Sequence, residues 1–156
     1  MSECKCNECT LNICPIHQSW FYSETVKDHF FNPRNIFKTE KELKEFKKKA
    51  SGKGTVGSPV CGDVMEMWIV VDSKTNKIKE CRWRTFGCAS AIASTSMLSE
   101  MVTENGGMTL KDAEKITPKE IMERLGGLPP KKIHCSVLGD RALRAAIKNY
   151  IERKNE

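Results

Sequence analysis

The segment that most restricts how this chain can fold is residues 64–86, together with the run that follows it. Residues 64–71 (VMEMWIVV) are apolar and end in β-branched side chains, and residues 72–77 (DSKTNK) are turn formers. A second strand-like run covers 78–86, so the pair reads as an antiparallel hairpin. Within that run Cys81 and Trp83 alternate with Arg82 and Arg84, which puts Cys81 on the buried side of a pleated strand. Residues 89–104 have helical character and are rich in Ala and Ser, small enough to pack closely on a sheet, until Asn105-Gly106-Gly107 breaks them.

Helices are expected on either side of this unit. Val26, Phe30 and Phe31 share a helical spacing that stops at Asn32-Pro33, and Trp20, Phe21, Phe30 and Phe31 read as core packing. His29, inside this helix, reads as a surface or packing histidine. Thr39-x-x-Glu42 has the capping-box pattern. The helix after it carries Leu43, Phe46 and Ala50 on one face, with Glu40/Lys44 and Glu45/Lys49 as i,i+4 pairs. Ser51-Gly52-Lys53-Gly54 is expected to end it. Thr117, Pro118 and Glu120 open another helix that Gly126 closes, Leu128-Pro129-Pro130 is extended, and a last helix runs over about 137–152. The fold class is therefore α+β, a small antiparallel β-sheet packed against helices.

A chain of 156 residues forms one domain with a small appendage and buries enough surface to fold without covalent staples. The opening residues MSECKCNECT have no basic n-region and no apolar h-region, and no run approaches the ~20 apolar residues of a membrane span. The expectation is a cytoplasmic protein with no membrane partner, in which cysteines bind metal or do redox chemistry rather than cross-link.

Three of the eight cysteines sit in loaded neighbourhoods: Cys61 in GSPVCGD, Cys88 in TFGCASAIAS and Cys135 in KIHCSVLGD. Asp63 follows the first by two residues and His134 directly precedes the third. Thiolate, imidazole and carboxylate together form a first shell for a thiophilic metal or an iron–sulfur cluster, and the same side chains suit Zn²⁺. Cys88 is expected at a strand-to-helix junction and Cys135 just ahead of the last helix, where a helix N-terminus favours a thiolate. Residues 1–20 form a separate Cys-rich extension. Its Cys4, Cys6, Cys9 and Cys14 read as a second metal site for zinc or a further iron–sulfur centre, the alternative being a sulfur-rich tail without order.

From YSETVKDHFFNPRN at 22–35, through GSPVCGDVM and TFGCASAIAS, to LPPKKIHCSVL at 128–138, the chain resembles the iron–sulfur cluster assembly scaffolds of the IscU / NifU N-terminal family. That resemblance implies an IscU/NifU-like scaffold domain over 21–156. Such a domain is not an enzyme. It combines ferrous iron (Fe²⁺) with sulfur from a cysteine desulfurase into a labile [2Fe–2S] cluster and passes it to apo-proteins, with iron and electron donors as further partners. It also implies Cys61, Asp63, Cys88, His134 and Cys135 as the cluster- and metal-binding set. Cys135 would be the first persulfide acceptor and Cys61 its competitor, while Asp63 and His134 contest the fourth position. A homodimer or trimer during assembly is part of the same expectation. The family's Leu-Pro-Pro-Val-Lys segment, recognised by a DnaK-type chaperone, reads here Leu-Pro-Pro-Lys131-Lys132, which leaves that partner open. The alternative function is a zinc-dependent persulfide sulfurtransferase of the SufU kind. Those relatives carry an insertion between the second and third cysteines, and the Cys88-to-Cys135 interval is only slightly extended.

The net charge of +6 is uneven. Lysines 38, 41, 44, 47, 48, 49 and 53 face only glutamates 40, 42 and 45 over the same stretch, which is longer and richer in lysine than the family pattern. Without interleaved aromatics or a recognition motif this does not read as nucleic-acid binding. A solvated helix face, or a surface for an acidic protein, is the expectation.

Overall fold

The computed structural model describes residues 22–58 and 62–156. Period-two burial along the hairpin sets the architecture. Strands β1 (Gly52–Ser58), β2 (Asp63–Asp72) and β3 (Lys77–Phe86) form an antiparallel meander in the order β1-β2-β3. The inner face presents Met65, Met67, Ile69 and Val71 from β2 and Ile78, Cys81 and Trp83 from β3. A register shift between Val70 and Val71 lets Ile78 and Cys81, three residues apart, both point inward. Cys81 is buried as its alternation predicts, and desolvation pushes its thiol up to about 12.

Helices cover both faces of the sheet. Helix α1 (Glu24–Phe31) is capped by Ser23, whose hydroxyl accepts from the Val26 N–H at 3.1 Å. Helix α2 (Glu40–Lys49) starts at Thr39, whose side chain accepts from the Glu42 N–H. The Glu42 carboxylate reaches back to the Lys38 N–H at 3.0 Å. Helix α3 (Ala89–Thr103) follows β3 directly. After the short α4 (Leu110–Ala113), α5 (Pro118–Arg124) carries a complete Thr117/Glu120 capping box with proline at its start. Helix α6 (Ile133–Asn155) closes the chain, and α3 and α6 pack on the inner face of the sheet. None of the described helices is long and apolar enough to cross a membrane.

The structure adds two elements that the sequence did not signal and corrects three expectations. Residues 51–54 follow the end of α2 at Lys49 as expected, and from Gly52 the chain runs on as strand β1, whose glycines admit a helix backbone rather than bury side chains. A Cβ on Gly52 would lie 2.3 Å from the Ala146 carbonyl oxygen, and one on Gly54 would lie 2.0 Å from that of Ala142. Helix α4 has no counterpart in the sequence reading. Helix α6 begins at Ile133, out of a 3₁₀ turn at Pro130–Lys132, so Cys135 lies in its first turn rather than ahead of it. The i,i+4 pairs of α2 do not form, since Glu40 pairs with Arg84 at 3.0 Å and Lys49 with Glu80 at 2.7 Å across to the sheet. Finally, Phe31 is 64% exposed, while Phe30 packs partly against the core as expected. His29 is a packing residue, buried against α3 and sharing a 2.8 Å hydrogen bond with the Ser96 hydroxyl.

Candidate metal and cluster site

Three chain segments converge at one end of the sheet. Strand β2 contributes Asp63 at its first residue, the β3–α3 junction contributes Cys88 as the N-cap of α3, and the first turn of α6 contributes Cys135. A short strand-to-helix link brings the first two together, and the docking of α6 on β1 and α3 brings in the third. One ligand atom from each of Asp63, Cys88 and Cys135 lies within 4.8 Å of the others. The two Sγ atoms are 3.2 Å apart. A tetrahedral ion with metal–sulfur bonds of ~2.3 Å holds two thiolates about 3.8 Å apart, so a small outward movement of either thiol opens the site to an ion.

Burial gives these side chains different characters. Cys135 is buried and Cys88 half-buried, while Asp63 is 5% exposed. The Asp63 Oδ2 is buried with no hydrogen-bond partner among the described residues. Buried carboxylate oxygens are normally satisfied, because an orphaned one costs about 1–3 kcal/mol or more. An acceptor left bare beside two thiols matches what a cation would satisfy. His134 stands at the rim, exposed, with its Nε2 3.5 Å from Cys135 Sγ, and does not belong to the trio that clusters within 4.8 Å. Cys61 lies outside the described residues, as do Cys4, Cys6, Cys9 and Cys14 and the aromatics Trp20 and Phe21.

Two features of the site were not read from the sequence. Gly87 separates Phe86 from Cys88, and a Cβ there would lie 3.1 Å from Ala91 Cβ and 3.3 Å from Asp63 Cγ. Its lack of a side chain lets Asp63 pack under the junction, and the signal was the Gly-Cys pair inside TFGCAS. The second feature is an apolar rim. Phe86 is 79% exposed, and its cross-strand partner Val64 and the α6 residue Ile133 are each 41% exposed, so an exposed apolar side chain lies within two residues of each of the three candidate ligands. The Tyr22 hydroxyl shares a 2.9 Å hydrogen bond with Ser90 and ties the start of α1 to the first turn of α3.

The chain is similar to known proteins along most of its length. The NifU-like N terminal domain family matches residues 21–156. The chain is 50% identical over 134 residues to the iron-sulfur cluster assembly scaffold protein IscU 1 of Archaeoglobus fulgidus, covering 86% of this chain and 78% of that protein. It is 46% identical over 136 residues to the scaffold protein IscU of Aquifex aeolicus, covering 87% and 80%. The nitrogen fixation protein NifU of Nostoc sp. is 45% identical over 131 residues, which span 84% of this chain and 42% of that longer protein. Among solved structures, an N-terminal NifU-like protein from Brucella abortus superposes with a TM-score of 0.60 at 15% identity, covering 84% of this chain and 94% of that one. A SufU-type scaffold from Fervidobacterium islandicum superposes at 0.56 and 22% identity, covering 81% and 96%. At such identities the likeness is one of fold, and that fold is the α+β arrangement described above.

Proposed function

The chain belongs to the NifU-like N-terminal domain family, and on that premise we propose that it is a scaffold on which iron–sulfur clusters are assembled. It acts as a platform rather than an enzyme. The observation that carries the reading is the Asp63, Cys88 and Cys135 trio, with its buried, unpartnered carboxylate oxygen beside two thiols. Cys61, two residues before Asp63, supplies the third thiolate. Three soft donors retain a cluster, and a hard carboxylate as the fourth exchanges more readily, so the cargo is held and still released. Burial and proximity favour Asp63 as that fourth ligand, with His134 at the rim as its competitor during release.

Ferrous iron and sulfane sulfur are the substrates. The Cys135 thiolate attacks the terminal sulfur of a cysteine desulfurase persulfide; the S–S bond breaks, the desulfurase thiolate leaves and a Cys135 persulfide remains. Cys61 serves as the second acceptor. Two sulfane sulfurs need four electrons to become sulfide. Two ferrous ions becoming ferric supply two of these, and an electron donor supplies the others, giving [2Fe–2S]²⁺. The apolar rim of Val64, Phe86 and Ile133 supports docking of the protein that brings sulfur and of the apo-protein that takes the cluster.

The test is anaerobic reconstitution with a cysteine desulfurase, cysteine, a reductant and ferrous iron. A [2Fe–2S] absorption spectrum that moves to an apo-ferredoxin is expected. Persulfide loading without a cluster, with zinc retained at the same donors, would replace the scaffold by the sulfurtransferase reading. For the extension, Cys4, Cys6, Cys9 and Cys14 are proposed as a second metal site. Replacing all four by serine with no change in metal stoichiometry would eliminate it.

A further inference from the structure

We propose that the outward face of α2, carrying Lys41, Lys44 and Lys48, is a docking surface for an acidic protein. Helix α2 sits on the outer face of the sheet, where Leu43 and Phe46 bury against Trp68 to form a second small core with Phe37, Ala50 and Val70. Its orientation follows from its two end contacts. Glu40 meets Arg84 and Lys49 meets Glu80. Nine residues of helix and four of strand both span about 13 Å, so α2 lies lengthwise along β3. The end nearer the cluster site is its N-terminus, because Arg84 is two residues from Phe86.

This packing sorts the charges of the segment. The carboxylates are paired along the helix–sheet seam: Glu40 with Arg84, Glu42 with Arg82, Glu66 with Lys53 and Arg84, and Glu80 with Lys49. The cations on that side are also spent over rings, with Lys53 5.2 Å and Lys47 5.7 Å from the Trp68 ring centre and Arg82 4.6 Å from that of Phe37. Lys41, Lys44 and Lys48 fall on the opposite side of the helix, exposed and without a carboxylate partner among the described residues. Glu45 is the one unpaired carboxylate on that face. The outcome is a row of cations fixed on a helix that is itself anchored at both ends.

The same geometry selects the class of partner. Single-stranded nucleic acid needs exposed aromatic platforms, and the aromatics here lie beneath the cations, with Trp68 only 2% exposed. Three lysines alone hold an anionic membrane surface by only about 1 kcal/mol each, stable anchoring needs an apolar face as well, and the apolar face of α2 is committed to Trp68. An acidic protein surface needs only fixed cations, and gains attraction over a Debye length. Because α2 and the helices that carry Cys88 and Cys135 lie on opposite faces of the sheet, such a partner binds alongside the cluster site without covering it. The inference does not rest on the scaffold reading.

The test titrates the full chain into a fluorescein-labelled oligo-glutamate peptide and reads anisotropy at low and moderate salt. Lys41→Gln/Lys44→Gln/Lys48→Gln should weaken binding about tenfold. A control of equal charge loss, Lys74→Gln/Lys111→Gln/Lys154→Gln, should weaken it less than about twofold. Glu45→Gln should strengthen binding about twofold, a change in the direction that a misfolded variant cannot mimic. Equal losses in the two triple variants, or no gain with Glu45→Gln, would overturn the proposal. So would tighter binding of a DNA duplex or of phosphatidylserine vesicles through the same three lysines.

Discussion

Replacing Asp63 by alanine should make the apo-protein more stable and its cluster longer-lived. The carboxylate is 5% exposed, and its Oδ2 has no hydrogen-bond partner among the described residues. Leaving a buried polar oxygen unsatisfied costs about 1–3 kcal/mol in the folded apo state. Truncation to alanine removes that cost, keeps Cβ and leaves a void of roughly 30 Å³, worth about 0.7 kcal/mol against the variant. The net is a gain of roughly 0.5–2 kcal/mol, or about 2–6 °C in Tm for a domain of this size. Apo-protein purified with chelator and followed by differential scanning calorimetry measures it. In the reconstituted protein the same change removes the oxygen donor that favours exchange, so cluster transfer to an apo-ferredoxin should slow. A variant less stable than wild type by more than about 1 kcal/mol would show that Asp63 is a structural carboxylate, and the reasoning would fail. Unchanged or faster transfer would refute its role as the exchangeable ligand.

Cys88→Ser should abolish stable cluster binding with the fold intact, because Cys88 is the N-cap of α3 and makes no side-chain cap bond. Serine is a better cap, so apo stability should hold or rise by about 1 kcal/mol, and a normal holo spectrum would contradict the assignment. Gly54→Ala should destabilise by about 3 kcal/mol or more, read from urea unfolding, since its Cβ would meet the Ala142 carbonyl oxygen at 2.0 Å. A change under 1 kcal/mol would mean that α6 does not rest on β1 so closely. Burial first, and then Arg34, hold the His29 imidazole below the ordinary value of 6.5, so the unfolded chain binds this proton more readily than the folded one. The contribution of His29 is therefore present above about pH 6.5 and lost as pH falls below it. Tm measured between neutral and mildly acidic pH should fall more steeply for wild type than for His29→Gln, and equal slopes would refute this.

The hairpin could be read in the sequence because its side chains face a core on one side and charges on the other. Strand β1 could not, since its contribution to packing is absence: Gly52 and Gly54 let the α6 backbone approach, and no apolar period records that. The early start of α6 was hidden for a related reason, as Pro129-Pro130 signals extended chain and the 3₁₀ turn after it leads straight into helix. The helix pairs expected in α2 lost to sheet partners, because Arg84 and Glu80 sit across from a helix that lies along β3. At the site, Cys88, Cys135 and Asp63 were each marked by their neighbours in sequence, and the structure brings the three together. What the residue types could not show is the difference in environment between the buried Asp63 and the rim residue His134.

Iron K-edge X-ray absorption on the anaerobically reconstituted protein tests the central claim most directly, because it reads the atoms bound to iron. The account predicts a first shell of sulfide and thiolate sulfur with one carboxylate oxygen, which gives way to imidazole scattering from His134 in Asp63→Ala, and loss of the assembled site in Cys88→Ser. An iron shell identical in wild type, Asp63→Ala and Cys88→Ser would contradict it.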